Sequence, residues 1–377
     1  LVGSEMCIRD RAVVANWRYL ASLSSPTTET AAVVKADAYG LGASQLAPHL
    51  VDAGCRTFFV MSLDEAITLR GALNDSGHDA NGHDTSGHDK HAVLILGGCH
   101  RGQEDEMLAH DITPVINTSE QAERLGKVAR ERGMTIPVAL HIDTGMNRLG
   151  LSSGEWQDLL ADAPDWTRWG ICGLISHFAC ADEPDHPLNL AQQQAANRAS
   201  EASGLPLSLG NSAGCFLGQR YRGDLVRPGM ALYGLNPTPH KSNPMRPVVG
   251  LEARIQQIRE VAEAGTVGYG ASAGVDPGQV LATVGLGYAD GFHRALSNIG
   301  KLYFQGEPLP LVGRVSMDSV VVDITRVREK VLPGDWLEVI GPHQPADDIA
   351  DAAGTIGYEI LTSLGRRYAR HYIGNEP

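Results

Sequence analysis

Eight short β-type runs, each followed by a segment of helical composition, fill the chain from Ala12 to about Pro237 and constrain its fold more than any other feature. The runs are 32–35, 57–61, 92–96, 113–117, 137–143, 170–177, 205–211 and 225–233. Between them lie segments such as 119–132, whose apolar residues recur at helical spacing. Nearly continuous apolar strands belong to parallel sheets covered on both faces. Eight such alternations fit an α/β fold with an N-terminal (β/α)8 TIM-type barrel, for which about 250 residues is typical. An open doubly wound sheet is the alternative, but no G-x-G-x-x-G follows the first run.

Beyond Pro244 and Pro247 the character changes. Short β runs at 251–261, 279–286, 301–304, 309–315, 320–324 and 335–340 are separated by Gly, Pro and Asp, which predicts a C-terminal, predominantly β domain over 241–377 with a helix at 357–363. The barrel is assigned to 12–240. Residues 1–11 (LVGSEMCIRDR) look like the translation of sequencing-adapter read-through and are set apart as a non-native segment. An inserted polar loop, 74–91, repeats Gly-His-Asp at His78, His83 and His88. A period of five matches no helix face and glycine gives no fixed geometry, so a surface insertion is expected there rather than a metal site.

Composition narrows the function. A 377-residue chain with a net charge of −13 is expected to bind neither nucleic acid nor an anionic membrane, since both require clustered Lys and Arg. Six cysteines without a C-x-x-C pair suit a reducing compartment, and no apolar run approaches the roughly 20 residues of a membrane helix. A cytoplasmic protein acting on a small molecule is expected.

Barrel strands open onto the active-site face at their C-terminal ends, so those ends carry the chemistry. Lys35 stands at the end of the first run, before the glycine-punctuated Ala36-Asp-Ala-Tyr-Gly-Leu-Gly42, where a Schiff-base lysine would sit. Most strand-end lysines are merely solvated, and Lys35 gains meaning only from what faces it. Asn211-Ser212 closes the seventh run and Gly229-Met230 lies in the eighth, where phosphate sites of such barrels are commonly built. A lysine opposite a phosphate site suits pyridoxal 5'-phosphate.

The ordered motifs VVKADAYGLG, HIDTGMNRLG, ISHFACAD, GNSAG, VRPGMALYG, VGYGA, GLGYADG, VGRVSMD and TIGYEI resemble those of the alanine racemase family, from about Ala12 to the C-terminus. That resemblance implies racemisation of alanine by two bases, Lys35 on one face of the substrate α-carbon and Tyr269, supplied by the other subunit of a homodimer, on the other. It implies that Arg227 meets the cofactor ring nitrogen, that His177 lies by the ring and links Arg227 to Tyr269, and that Arg148 binds the substrate carboxylate. Tyr39, Ser212, Gly229, Met230 and Tyr358 correspond to the phosphate-contacting set. Met317 and Asp318 correspond to residues lining the entrance from the partner, and Tyr288 to one that narrows it. D-Alanine for peptidoglycan is the implied product, and a broad-specificity amino acid racemase of the same fold is the alternative. A decarboxylase is disfavoured by Arg227, because such chemistry benefits from an acidic partner at the ring nitrogen; a non-catalytic cofactor-binding barrel would lack the second domain and Tyr269.

One position departs from the family. Many members have a carbamylated lysine seven residues before the carboxylate-binding arginine, and this chain has His141. Histidine supplies no stable negative charge, so Arg148 is expected to find another partner, such as chloride or a neighbouring carboxylate.

Overall fold

The computed structural model describes residues 3–75, 91–162 and 170–374. The Gly-His-Asp repeats lie outside the described residues.

The barrel is a sheet of parallel strands in which neighbours in sequence are neighbours in space, from Ala32–Val33 through Thr57–Val60, Ala92–Ile95, Thr113–Ile116, Val138–His141, Ile171–Ile175 and Leu207–Asn211 to Leu225–Arg227. Closure falls to the first strand, which is split at Ala31. Glu29–Thr30 pairs with Leu225–Arg227, while Ala32–Val33 pairs with Thr57–Val60. Continuity across the split comes from the Ala31 N–H donating to the Val226 carbonyl and that of Val33 to the Pro228 carbonyl. All eight predicted runs are therefore strands. The eighth is shorter than expected, ending at Arg227 and yielding to a 3-10 turn at Met230–Tyr233.

Local chemistry fixes the outer helices. Thr118 caps Ser119–Arg132 by accepting from the Gln121 N–H, and Gly133, at φ 62°, ends it. Pro187 opens Pro187–Ser203, where a missing N–H costs nothing, and Gly204 closes it at φ 69°.

In the second domain the 12-residue strand Val249–Glu260 is the spine. Its buried Val249, Leu251, Ala253 and Ile255 alternate with more exposed residues, the period-two pattern of a half-covered antiparallel sheet. It pairs with Trp336–Ile340, Val280–Val284 and Ser4–Ile8. Ser4–Ile8 comes from the segment that the sequence set apart; it also pairs in parallel with Ala369–Tyr372, and its Met6 and Ile8 are fully buried. Gly265–Val267 and Ala273–Val275 form a separate two-stranded ribbon. The helix Gly357–Ser363, predicted at those residues, packs on the turn after Lys35: a Cβ on Gly40 would lie 2.8 Å from the Leu361 carbonyl oxygen.

Candidate active site

Lys35 does not end a strand. It opens a single helical turn, Lys35–Gly40, in which Ala36, Asp37, Ala38 and Tyr39 have φ between 52° and 57°. Four consecutive residues are thus left-handed, each at a cost of about 1–2 kcal/mol for an L-amino acid. The surroundings hold the turn. Glu65 Oε1 accepts the Ala36 N–H at 2.7 Å and Oε2 that of Met61 at 2.7 Å, so one carboxylate ties the ends of the first two barrel strands together. Asp37 accepts the Gly42 N–H at its carbonyl and the Ala43 N–H at Oδ1. The Tyr233 hydroxyl donates to the Val33 carbonyl, and its ring lies 4.8 Å from that of Tyr39. The turn aims Lys35 and Tyr39 into the barrel mouth.

Burial lowers the Lys35 pKa from the ordinary lysine value, and the Arg148 and Arg227 charges lower it further, against an opposing pull from Glu65. A lysine so placed is more readily neutral, as a nucleophile or base requires. Arg227 is 4% exposed and held by neutral partners: it donates to Ser208 Oγ, to the Ser176 carbonyl and to His177 Nδ1 at 3.4 Å. Burial brings its pKa down to about 10, so it stays cationic at neutral pH. Because a guanidinium only donates, His177 Nδ1 is the acceptor and Nε2 carries the ring proton. Burial, then Arg227, push the His177 pKa well below its ordinary value, so the ring is neutral.

Ser212 organises the adjoining side of the mouth, because the last barrel strand neighbours the first. Its Oγ accepts the Gly229 N–H at 2.9 Å and the Ala231 N–H at 3.3 Å, which leaves its own hydroxyl proton for a further acceptor. Buried Met230 lies between those two amides. A Cβ on Gly229 would lie 2.4 Å from the Tyr39 hydroxyl, so only glycine admits the phenol there. Tyr358, on Gly357–Ser363, sets its ring 6.0 Å from Tyr39. Arg148 is exposed, on a loop held by Asp143, which accepts N–H groups from Gly145, Met146 and Asn147. Among the described residues no carboxylate lies within ion-pair distance of Arg148.

Lys35, Arg148, Arg227, His177 and His141 thus act on one another electrostatically at one mouth. The donor set fits pyridoxal phosphate: an amine for its aldehyde, hydroxyls of Ser212 and Tyr39 beside a cradle a Cβ would fill, and a donor-only cation for an aromatic nitrogen.

Four expected residues stand elsewhere, on the second domain. Tyr269 tips the ribbon and is 72% exposed. Met317 is exposed; its carbonyl accepts the Ala289 N–H and that of Ser316 accepts the Tyr288 N–H, while Asp318 accepts from Arg367. Tyr288, Met317 and Asp318 therefore share one surface. Among the described residues, no hydrogen bond or ion pair joins these four to the Lys35 cluster.

Sequence reading missed Glu65, Ser208 and Asn117. The first two act on backbone and guanidinium groups that only folding reveals. Asn117 closes the fourth run, and its partner follows from register: Ile116 pairs with Leu140, so Asn117 meets His141.

Residues 8–237 match the family model described as alanine racemase, N-terminal domain, and 248–372 that of alanine racemase, C-terminal domain. A protein of Agrobacterium fabrum named "Alanine racemase, catabolic" is 46% identical over 95% of this chain and 89% of its own. An alanine racemase of Rhodospirillum rubrum is 43% identical over 96% of this chain and 94% of its own. The crystal structure of alanine racemase from Bartonella henselae, with covalently bound pyridoxal phosphate, superposes with a TM-score of 0.88 at 38% identity, over 99% of this chain and 100% of that one.

Proposed function

The chain belongs to the alanine racemase family, and we propose that it uses pyridoxal 5'-phosphate to interconvert L- and D-alanine, with Lys35 and Tyr269 as opposed bases. The observation that carries this reading is Lys35, depressed in pKa by burial, on the same turn as Tyr39 and one strand from the Ser212 and Gly229 cradle at a shared mouth, with the buried Arg227 charge acting on it. When bound, the cofactor supplies an electron sink that makes the substrate Cα–H acidic.

The protein's own groups do the rest. Ser212, Tyr39 and Tyr358 would hold the phosphate, with Gly229 and Met230 shaping its backbone seat. Arg148 would fix the substrate carboxylate through its planar fork. Arg227 would hold the ring nitrogen without giving it a proton and would keep the carbanion's charge near Cα, which favours return of the proton there. His177, whose Nε2–H points onward from Arg227, would relay that charge toward the Tyr269 phenol. Lys35 Nζ takes or gives a proton on one face, and Tyr269 Oη does so on the other. Two groups are needed because a single one returns the proton to the face it came from.

Among the described residues, Tyr269, Tyr288, Met317 and Asp318 make no hydrogen bond or ion pair to their own subunit's Lys35 cluster; in a two-fold homodimer each second domain would cover the partner's barrel mouth. Tyr269 at 72% and Met317 at 53% exposure are surfaces such an interface would bury. We place the enzyme in the cytoplasm, where its six unpaired cysteines are stable, and its product in peptidoglycan synthesis. The test is turnover of a panel of L-amino acids by the holoenzyme with chiral detection. D-alanine as the dominant product is expected; comparable rates on long side chains would instead establish a broad-specificity racemase, and no racemisation would end the proposal.

A further inference from the structure

Asn117 is 4% exposed, and its orientation is fixed. Its side-chain N–H groups donate to the carbonyls of Leu96 at 2.9 Å and Val115 at 3.0 Å, and flipping the amide would set its oxygen against both. Its backbone N–H is held by Gln121 Oε1 at 2.8 Å. Asn117 Oδ1 therefore faces His141 Nδ1, 2.7 Å away, and can only accept. The ring proton of His141 sits on Nδ1, and Nε2 is a bare lone pair.

The other edge of the ring faces the loop that carries Arg148. A Cβ on Gly150 would lie 3.1 Å from His141 Cδ2, the atom bonded to Nε2. The loop is tied back at this point: the Leu151 N–H donates to the His141 carbonyl at 2.7 Å and that of Asp143 to the Leu151 carbonyl at 2.9 Å. The charged and titratable groups acting on His141 are Arg227, Asp143, Arg148 and His177. Asp143 is occupied by the loop amides.

We propose that Asn117 and His141 are positioning residues for Arg148, offering its guanidinium an uncharged acceptor at Nε2 in place of an anion. A charged acceptor would orient Arg148 and also neutralise it. An uncharged one orients the fork and leaves the full positive charge to the substrate carboxylate. The inference rests on the reading of Arg148 as the carboxylate-binding residue.

The test uses holoenzyme variants. An asparagine reaches only the Nδ1 position, whereas a glutamine carries an acceptor to the Nε2 position. His141→Asn is expected to raise the KM for alanine by about tenfold, the scale of one hydrogen bond, with kcat within about twofold; His141→Gln brings KM most of the way back. Nitrogen-15 spectra of histidine-labelled wild-type protein, assigned by loss of one signal pair in whichever of His141→Gln and His141→Asn folds, are expected to show a protonated Nδ1 and a bare Nε2, and this readout does not depend on the activity of either variant. A proton on Nε2, an unchanged KM in His141→Asn, or a wild-type KM that falls when chloride replaces acetate would each overturn the proposal. Wild-type protein without alanine racemisation would defeat the assigned function instead, whereas normal racemisation with a silent His141→Asn would defeat only this inference.

Discussion

Gly229 leaves its side-chain position to Tyr39: a Cβ there would lie 2.4 Å from the phenolic oxygen and 3.1 Å from the ring carbon that bears it. Tyr39 cannot retreat easily, since its ring is 7% exposed and packed against Tyr233. Gly229→Ala therefore displaces the phenol from the cradle. The dissociation constant of pyridoxal phosphate, measured by absorbance titration of the apoenzyme, is expected to rise at least about tenfold, the scale of a lost hydrogen bond to a charged group. A value within twofold of wild type would show that Tyr39 does not contribute to phosphate binding.

Glu65 gives a second test. Its carboxylate accepts from Ala36 and Met61, and so ties the left-handed turn after Lys35 to the end of the next strand. Glu65→Ala removes both acceptors and is expected to cost about 1–3 kcal/mol of stability by denaturant titration. It is also expected to lower kcat more than alanine affinity, because the displaced group is Lys35. A loss of stability with unchanged kcat would confine Glu65 to a structural role.

These two relationships mark where the sequence stops being legible. The run at 32–35 was readable as a strand from its apolar residues, and the barrel followed from eight such runs, because burial on both faces dictates composition. Left-handed φ at Ala36–Tyr39 was not, since neither alanine nor tyrosine prefers it and contacts distant in sequence, such as Glu65, Tyr233 and the helix Gly357–Ser363, hold it. Lys35, Arg227 and Ser212 were visible as polar residues at strand ends, and their roles came from the family motifs. The Asn117–His141 contact depends on the register of two adjacent strands, which no local pattern encodes. Ser4–Ile8 carries no turn or helix signal and becomes a strand only because Val249–Glu260 and Ala369–Tyr372 leave a place between them.

His141 sets a pH dependence. Burial, followed by the charge of Arg227, lowers its pKa from 6.5 to about 4 in the folded protein. As pH falls below 6.5 the unfolded chain takes up this proton and the folded chain does not, so stability is lost between pH 6.5 and about 4, and below that no more is lost from this group. The full effect is on the order of 3 kcal/mol. His177 acts in the same direction. Denaturant midpoints measured from pH 7.5 to 4.5 are expected to fall less steeply in His141→Gln, with the remaining slope carried partly by His177. Parallel curves for the two proteins would exclude His141 as a contributor.

The two-base assignment is tested by direction. Lys35 and Tyr269 lie on different domains, one half-buried in the barrel mouth and the other 72% exposed on a ribbon. If each serves one face of the α-carbon, removing either leaves the other still able to exchange a proton on its own face. Tyr269→Phe in deuterated water is expected to keep α-proton exchange for one enantiomer of alanine while slowing it about a hundredfold or more for the other, the low end of what a positioned acid or base contributes. Lys35→Ala is expected to lose the visible absorbance of the bound cofactor, because the amine that joins it is gone. Supplying free methylamine to that variant restores an amine but not its position, so any recovered exchange should favour the enantiomer served by Tyr269. Equal slowing of both enantiomers in Tyr269→Phe would mean that the phenol positions the substrate and does not carry the proton.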